Sequence, residues 1–148
     1  MRYRENVFAS RGAMARAAKN RYFVMKKTNA ERIDRVVSLA EQQIPLQLIE
    51  TGPADSLGLG LMFGPHSCLD YVVQDLKRFP GKGIRLIEAA LQSPVVRNRN
   101  MALNALEAWE GDEWTPRAFE AIDHARRSET DEKILARINK LGAQRNGA

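Results

Sequence analysis

Apolar residues recur at helical spacing over the C-terminal half of the chain, and they predict two helical hairpins in a row. In the first hairpin, Ile84, Ile87 and Leu91 lie on one face, and Ser93-Pro94 separates the two helices. Ser93 and Leu106 are matched by Ser128 and Leu141, each 35 positions later. A period of that size, with two short helices per unit, is typical of an α-solenoid. The four predicted helices cover 82–92, 95–109, 116–127 and 131–141.

Earlier segments also have helical patterns. Thr28 and Glu31 form a capping-box pattern before a stripe that predicts a helix over 30–42. Ser67 is predicted to cap a helix over 68–79, with Asp70 at its third position. Short apolar runs cannot be assigned by period alone, and we interpret 44–50 as a short helix because its neighbours are helical. An alanine-rich stretch over 4–27 is interpreted as a docked helix or a partly disordered basic arm.

The remaining signals mark boundaries. Thr115-Pro116 predicts a helix start, Gly142 a C-cap, and 143–148 a frayed tail. Residues 51–66 form the one long irregular segment, punctuated by glycine and proline. No β-hairpin signal is present. The expected fold class is therefore all-α, with five to seven helices in short antiparallel pairs and a helical domain over 28–142.

The run Ser93-Pro94-Val95-Val96-Arg97, followed by Ala102–Leu106, resembles the second helix of a HEAT repeat over 82–142. The resemblance implies a right-handed α-α superhelix in which Arg97 stabilises the stack of turns, opposite an acidic group. The second unit keeps the apolar spacing but lacks the Val-Arg pair and is interpreted as a capping repeat. About three units are needed to bury a continuous core. We therefore expect 30–42 and 68–79 to pack as a degenerate preceding unit, bridged by 44–50.

Composition indicates one soluble globular domain. The chain has 148 residues, 44% hydrophobic and 28% charged, a size that folds without disulfide or metal. It has one cysteine, no apolar run of membrane-spanning length and no signal-peptide pattern. We expect a cytoplasmic protein; a piece of a longer chain would show the same patterns.

The positive charge is concentrated at the N-terminus. The chain carries a net charge of +5, and the first 27 residues hold eight basic residues against Glu5 alone. The remaining residues hold 15 basic and 17 acidic side chains. Aromatic residues are interleaved with the N-terminal charges. This asymmetry is typical of a segment that meets an anionic partner, or of an amphipathic helix with solvated Lys and Arg.

Three groups of residues contain side chains of types that occur in catalytic or binding sites. His66, Cys68 and Asp70 are residue types for a metal or a cysteine nucleophile, but we favour a loop histidine, a core cysteine and a helix N-terminal charge. The run Gly58–Gly64 has glycines like a phosphate loop but lacks the strand and the Lys-Ser/Thr that such loops require. We interpret it as a hydrophobic lid that folds over the helices, or equally as an oligomer contact.

The third group is acidic and surrounds two tryptophans. A paired-carboxylate site is possible there in principle, but the residues sit around a turn containing Gly111. We favour a charged turn with Trp109 in the core, and leave Trp114 as either core or an exposed anchor. The acidic residues are Glu107, Glu110, Asp112 and Glu113.

The leading functional hypothesis is a non-enzymatic scaffold that binds a protein partner. We expect its contacts on the polar side of one repeat helix, at Arg97, Arg99, Asn100, Asn104 and at Trp114. The alternative is nucleic-acid binding through Arg11, Arg16, Lys19, Arg21, Lys26 and Lys27. A small helical enzyme ranks third, since fold does not determine function. No cofactor, metal, membrane or small-molecule ligand is expected.

Overall fold

The computed structural model of the protein describes residues 24–146. Residues 24–27 are helical, and seven further α-helices follow without a β-strand in this part of the chain. Three short 3-10 helices lie at Leu61–Phe63, Leu76–Arg78 and Gly111–Glu113. The α-helices are α1 (Ile33–Gln43), α2 (Leu46–Ile49), α3 (Gly64–Val73), α4 (Ile84–Leu91), α5 (Val96–Ala108), α6 (Pro116–Ser128) and α7 (Glu132–Asn146). The prediction of an all-α fold is confirmed.

The helices form two adjoining rows. In one row α4 contacts α1, α2 and α6, and in the other α5 contacts α3 and α7. The rows meet where α4 packs on α5, α3 on α4, and α6 on α7. One continuous apolar core joins them, and Trp109, Leu103 and Leu106 are among its fully buried side chains. Each helix therefore buries one apolar stripe against the opposite row, as amphipathic helices do.

The predicted helices of the C-terminal half coincide with α4 to α7. Thr115 accepts a hydrogen bond from the Ala118 amide and Pro116 is the first residue of α6, so this predicted start is confirmed. The end of α7 was predicted wrongly, because the helix continues through Gly142 to Asn146. Arg145 donates to the carbonyl oxygens of Glu107 and Trp109 at the end of α5. These bonds give the last turn of α7 a partner, so Gly142 is not its C-cap.

The predicted cap before α1 is also wrong in detail. The side-chain oxygen of Asn29 accepts from the amides of Glu31 and Arg32, each at 3.2 Å. Thr28 instead donates its hydroxyl to the carbonyl of Val24, one turn back. Asn and Thr compete for the same capping role, and here Asn29 caps the turn that precedes α1, whereas Arg32 at the N-cap of the helix has no side-chain capping bond.

The third helix begins earlier than predicted. Leu61–Phe63 is a 3-10 turn, and α3 starts at Gly64, with Pro65 in its first turn. Proline is favoured in the first turn of a helix, where its missing N–H has no intrahelical partner in any case. The predicted cap Ser67 therefore lies inside the helix, and the predicted 68–79 helix divides into α3 and the 3-10 turn at Leu76–Arg78.

The bridging segment of the first unit contacts the helix after it. The main contact of α1 is with α4, whereas α3 packs against α2, α4 and α5. The short helix α2, which falls in the predicted bridge 44–50, lies beside α3, and the packing of 30–42 with 68–79 as one degenerate unit stays a prediction. No helix within residues 24–146 combines the length and apolar character that crossing a bilayer requires.

Candidate interaction surface

Arg99 was predicted on the exposed polar side of α5, and that placement is wrong. Its side chain is 0% exposed, and its Nε and Nη2 donate to the two carboxylate oxygens of Glu129 at 2.9 and 3.2 Å. Its Nη1 donates to the carbonyl oxygens of Ala54 at 2.8 Å and Ser93 at 2.9 Å. One guanidinium therefore joins the irregular segment, the α4–α5 turn and the α6–α7 turn.

Arg97 lies on the surface, and its side chain is 60% exposed. Its Nε is 3.1 Å from Oδ2 of Asp70 on α3, so it does have the acidic neighbour that the sequence resemblance implied. The joining of successive turns, however, is carried out by Arg99. The two arginines are two positions apart on α5, which turns their side chains to different sides of the helix.

The two asparagines of the predicted surface are engaged by the neighbouring helix. Arg137 on α7 donates to the side-chain oxygens of Asn100 at 2.7 Å and Asn104 at 2.8 Å, and also to Glu107. Trp114 is buried, and its indole N–H donates to the carbonyl of Leu106. Of the predicted partner residues, Arg99 and Trp114 are therefore buried, Asn100 is partly buried, and Arg97 and Asn104 remain exposed.

The acidic turn after α5 is structural. Glu110 and Glu113 form a capping box around the 3-10 turn, with the Glu110 amide donating to Glu113 at 2.7 Å. Trp109 is fully buried and its indole N–H donates to the carbonyl of Leu76 at 2.9 Å. The prediction of a charged turn with Trp109 in the core is confirmed.

A buried polar group joins α3 to α5. The side-chain nitrogen of Asn98 donates to Oδ1 of Asp70 at 2.6 Å and to the carbonyl of His66 at 3.0 Å. Its oxygen accepts from the hydroxyl of Ser93 at 2.7 Å. Burial raises the pKa of Asp70, partly offset by the Asn98 hydrogen bond and the Arg97 charge.

His66 was predicted in a loop, but it lies in α3 and is only 8% exposed. Neither ring nitrogen has a hydrogen-bond partner. The ring packs edge-on against Phe63, with 5.0 Å between the two ring centroids. Burial lowers the pKa of His66, because the charged form loses its hydration. Cys68 is a buried core residue, as predicted. Asp70 is not in the first turn of its helix, so the predicted N-terminal charge role is wrong.

A polar groove lies between α4 and α6 and has a volume of about 570 Å³. Arg85 makes two hydrogen bonds of 2.7 Å to Glu50 on its wall, and these bonds raise the pKa of Arg85. Arg117 pairs with Glu88 in the same region. Since most charges of the groove are satisfied within the protein, it has no strong preference for a charged ligand.

The irregular segment carries the main exposed apolar surface, which we call the apolar ridge: Leu57, Leu59, Leu61 and Met62. These four side chains are 69–75% exposed. The prediction that they form a lid folded over the helices is wrong. Phe63, the next residue, is the one that turns inward, against His66.

The backbone before the ridge is held firmly to the helical body. The Gly52 amide donates to the carbonyl of Gln92 at 2.8 Å. Ser56 pairs with the chain around Val95, donating to the Pro94 carbonyl and accepting from the Val96 amide, each at 3.1 Å. Gly58 has φ +67°, and an added Cβ there would lie 2.8 Å from the Val95 side chain. The ridge is therefore presented from an ordered base.

The nucleic-acid residues predicted at Arg11, Arg16, Lys19 and Arg21 lie outside the described residues. Lys26 and Lys27 are exposed. Met25, directly before them in the chain, is buried, and its carbonyl accepts a hydrogen bond from Arg78 at 2.6 Å. The stretch that follows the basic N-terminal segment is therefore attached to the helical body next to Arg78.

Within residues 24–146, no three His, Cys, Asp or Glu side chains converge in a way that could hold a metal ion. Comparison with known proteins found no matching family model, no matching curated protein and no matching solved structure.

Proposed function

We propose that this protein is a non-enzymatic helical interaction module that binds a protein partner through the apolar ridge. The observation that carries the proposal is the 69–75% exposure of four large apolar side chains within a single segment. Scattered exposed leucines are ordinary, but several within one short segment favour an interaction site in a soluble protein.

Burial of these exposed side chains by a partner would be favourable. Burying a Leu or Met side chain fully stabilises a complex by about 1.5–3 kcal/mol, so four largely exposed side chains represent several kcal/mol of unused binding energy. The segment Ser56–Pro65 contains no charged residue that would keep it hydrated. A protein surface with an apolar groove is the chemistry that complements such a ridge.

The ordered base favours binding further. The backbone contacts of Gly52, Ser56 and Gly58 hold the segment before partner contact. A preorganised surface loses less conformational entropy on association than a free loop does. The predicted surface on α5 contributes at most Arg97 at its edge, since the Ser56–Val95 bridge places the ridge beside the start of α5.

The proposal is tested by affinity capture from an extract of the source cells. The test variant replaces the ridge (Leu57→Ser, Leu59→Ser, Leu61→Ser, Met62→Ser). The matched control replaces two exposed leucines outside the ridge (Leu39→Ser, Leu48→Ser). We expect specific proteins captured by the natural chain and the control but lost from the ridge variant. Identical capture by all three would contradict the proposal.

The ridge could equally be covered by a second copy of the same chain, and a further measurement distinguishes this from binding to another protein. Light scattering of the purified natural chain over a range of concentrations measures its mass. If the natural chain is a dimer and the ridge variant is a monomer, the partner of the ridge is a second copy of the chain and not another protein. A monomer in both leaves the captured proteins as the partners.

The finer architecture that we propose is an α-α superhelix of HEAT-like pairs. The row contacts of α4 with α6 and of α5 with α7 support it. So does Arg99, which links successive turns as arginine does in the family that the sequence resembles. Cytoplasmic localisation is part of the same proposal and is supported by the single cysteine, which lies in the core.

Nucleic-acid binding is kept as a second candidate because of one observation. Residues 24–146 hold 17 basic and 17 acidic side chains, so the excess of positive charge lies in residues 1–23. Lys26, Lys27 and Arg78 extend that basic character onto the described surface. The enzymatic alternative lacks such support, since His66 and Asp70, whose pKa values are shifted, are buried in packing.

An electrophoretic shift with duplex DNA, single-stranded DNA and RNA at two salt concentrations tests the second candidate. Deleting residues 1–27 would remove Met25 from the core, so the full chain with basic residues replaced by Gln is the better comparison. Binding that falls with salt, by a slope of about −0.9 per duplex phosphate contacted, and is lost in the variant would support it. No shift at low salt would exclude it. The replaced residues are Arg11, Arg16, Lys19, Arg21, Lys26 and Lys27.

A further inference from the structure

The base of the apolar ridge depends on one buried ion pair. Arg99 and Glu129 are 0% and 1% exposed, and both Nε and Nη2 of the arginine bond the carboxylate. The remaining nitrogen, Nη1, donates to the carbonyl of Ala54, three residues before the ridge begins. Glu129 fixes the arginine from the α6–α7 turn.

The carboxylate is itself held in place. One Glu129 oxygen accepts from the backbone amides of Thr130 at 3.0 Å and Asp131 at 2.9 Å. The guanidinium can therefore not swing toward another acceptor without leaving a buried charge unpaired. Because Glu129 fixes the guanidinium, the hydrogen bond from Arg99 to the Ala54 carbonyl has a fixed direction. That bond in turn restricts the position of the segment that carries the ridge.

We propose that the Arg99–Glu129 pair is the positioning element of the ridge, and that it couples the shape of the binding surface to the α6–α7 turn. This inference rests on the proposed function. Exposed apolar side chains on a free segment would turn onto the protein surface to escape water. Arg99 and the Ser56–Val95 bridge together hold the backbone of the segment in a conformation that keeps the apolar side chains of the ridge exposed.

Hydrogen exchange of the full-length chain tests the proposal without a partner. Glu129→Gln keeps the shape of the side chain and removes its charge, whereas Arg99→Lys keeps a charge and loses the forked contacts. We expect the amides of Gly52 and Ser56 to exchange about tenfold faster or more, with the amides of Leu103 and Leu106 in α5 unchanged. The matched control is Arg117→Lys, which alters an exposed ion pair on the other row.

Both single variants disturb a buried charge and could lower the stability of the whole chain. The double variant Arg99→Met and Glu129→Leu leaves no unpaired buried charge, and replacing a buried pair by apolar groups of similar size is often tolerated, although the carbonyls of Ala54 and Ser93 lose their donor. Faster exchange confined to the irregular segment in this variant supports the proposal. Equal loss of protection in the segment and in α5, or an unchanged segment, overturns it.

Affinity capture with the same double variant completes the test. Reduced capture of the proteins that depend on the ridge supports positioning, and undiminished capture with a released segment overturns it. The ridge substitutions decide separately whether the ridge binds at all. The exchange result therefore stands even if the proposed function fails.

Discussion

The side-chain amide of Asn98 donates to Oδ1 of Asp70 across the α3–α5 contact at 2.6 Å, and neither residue is exposed. The same amide nitrogen also bonds the carbonyl of His66, and the amide oxygen accepts from Ser93. One asparagine thus satisfies three groups that belong to α3 and to the α4–α5 turn. Buried polar groups without partners are costly, so the packing of α3 on α5 depends on this residue.

Replacement of Asn98 by Ala is therefore expected to lower the free energy of unfolding by about 3 kcal/mol, because it leaves buried groups unpaired. Asn104→Ala is the matched control on the same helix, where the asparagine is exposed. It should cost about 0.5 kcal/mol or less. Urea unfolding followed by circular dichroism gives both values. Equal losses would contradict the structural role of Asn98.

Arg99→Ala should cost about 3–5 kcal/mol, because it leaves the Glu129 carboxylate buried without its counter-charge. Arg117→Ala removes an arginine whose side chain is half exposed and should cost about 1 kcal/mol or less. The same unfolding measurement compares the two. A small effect at position 99 would restore the surface role that the sequence suggested for this arginine.

Stability should fall in mild acid because of His66. Its pKa is lowered from the ordinary 6.5 in the folded chain, so the unfolded state binds more protons once the pH drops below about 6.5. The free energy of unfolding therefore decreases from about pH 6.5 down to the folded pKa. Asp70, whose pKa is raised above 3.8, has the opposite sign and gains stability as the pH falls through its folded pKa.

The variant His66→Leu isolates the histidine contribution, because it keeps the apolar contact with Phe63 and cannot be protonated. Denaturant unfolding at pH 7.5, 6.5 and 5.5 should show a flatter pH dependence for this variant than for the natural chain. Stability at the highest pH should be equal or greater, since two unpaired ring nitrogens are removed. Parallel pH profiles for the two proteins would refute the assignment.

Two glycines at the start of the ridge should respond differently to alanine. Both have positive φ, but an added Cβ at Gly60 meets open space, whereas at Gly58 it lies 2.8 Å from Val95. Gly60→Ala should cost about 1–3 kcal/mol, all of it backbone strain, because its φ of +97° and ψ of 169° lie in a region that almost only glycine adopts. Gly58→Ala should cost about 1–3 kcal/mol because the buried Val95 must move, in addition to about 1–2 kcal/mol of strain from the positive φ. Thermal unfolding of the two variants measures the difference.

Periodicity predicted the C-terminal helices well because each presents a continuous apolar stripe and has clear end signals. Thr115-Pro116 is such a signal, and α6 begins there. The failures arose where two residues compete for one role, as Thr28 and Asn29 do, or where a distant contact decides the outcome. Arg145 extends α7 past Gly142 through bonds to the end of α5, and no local pattern contains that information.

The site was harder to predict than the fold, for a physical reason. Helical spacing places Arg99 on a polar side of α5, but its burial depends on Glu129 and Ala54, which are distant in sequence. The apolar ridge had a usable signal, namely Ser56–Pro65 without a single charge. Hydrophobic composition indicated a contact but could not show whether the protein itself or a partner provides it.

Site-specific photo-crosslinking in living cells tests the central claim most directly. A photoreactive amino acid placed at Leu59 in the ridge is compared with the same amino acid at Leu48, an exposed leucine on α2. If the ridge binds a protein partner, a discrete crosslinked protein forms at position 59 and is absent at position 48. No adduct at position 59, or the same adducts at both positions, would contradict the assignment of the ridge as the binding surface.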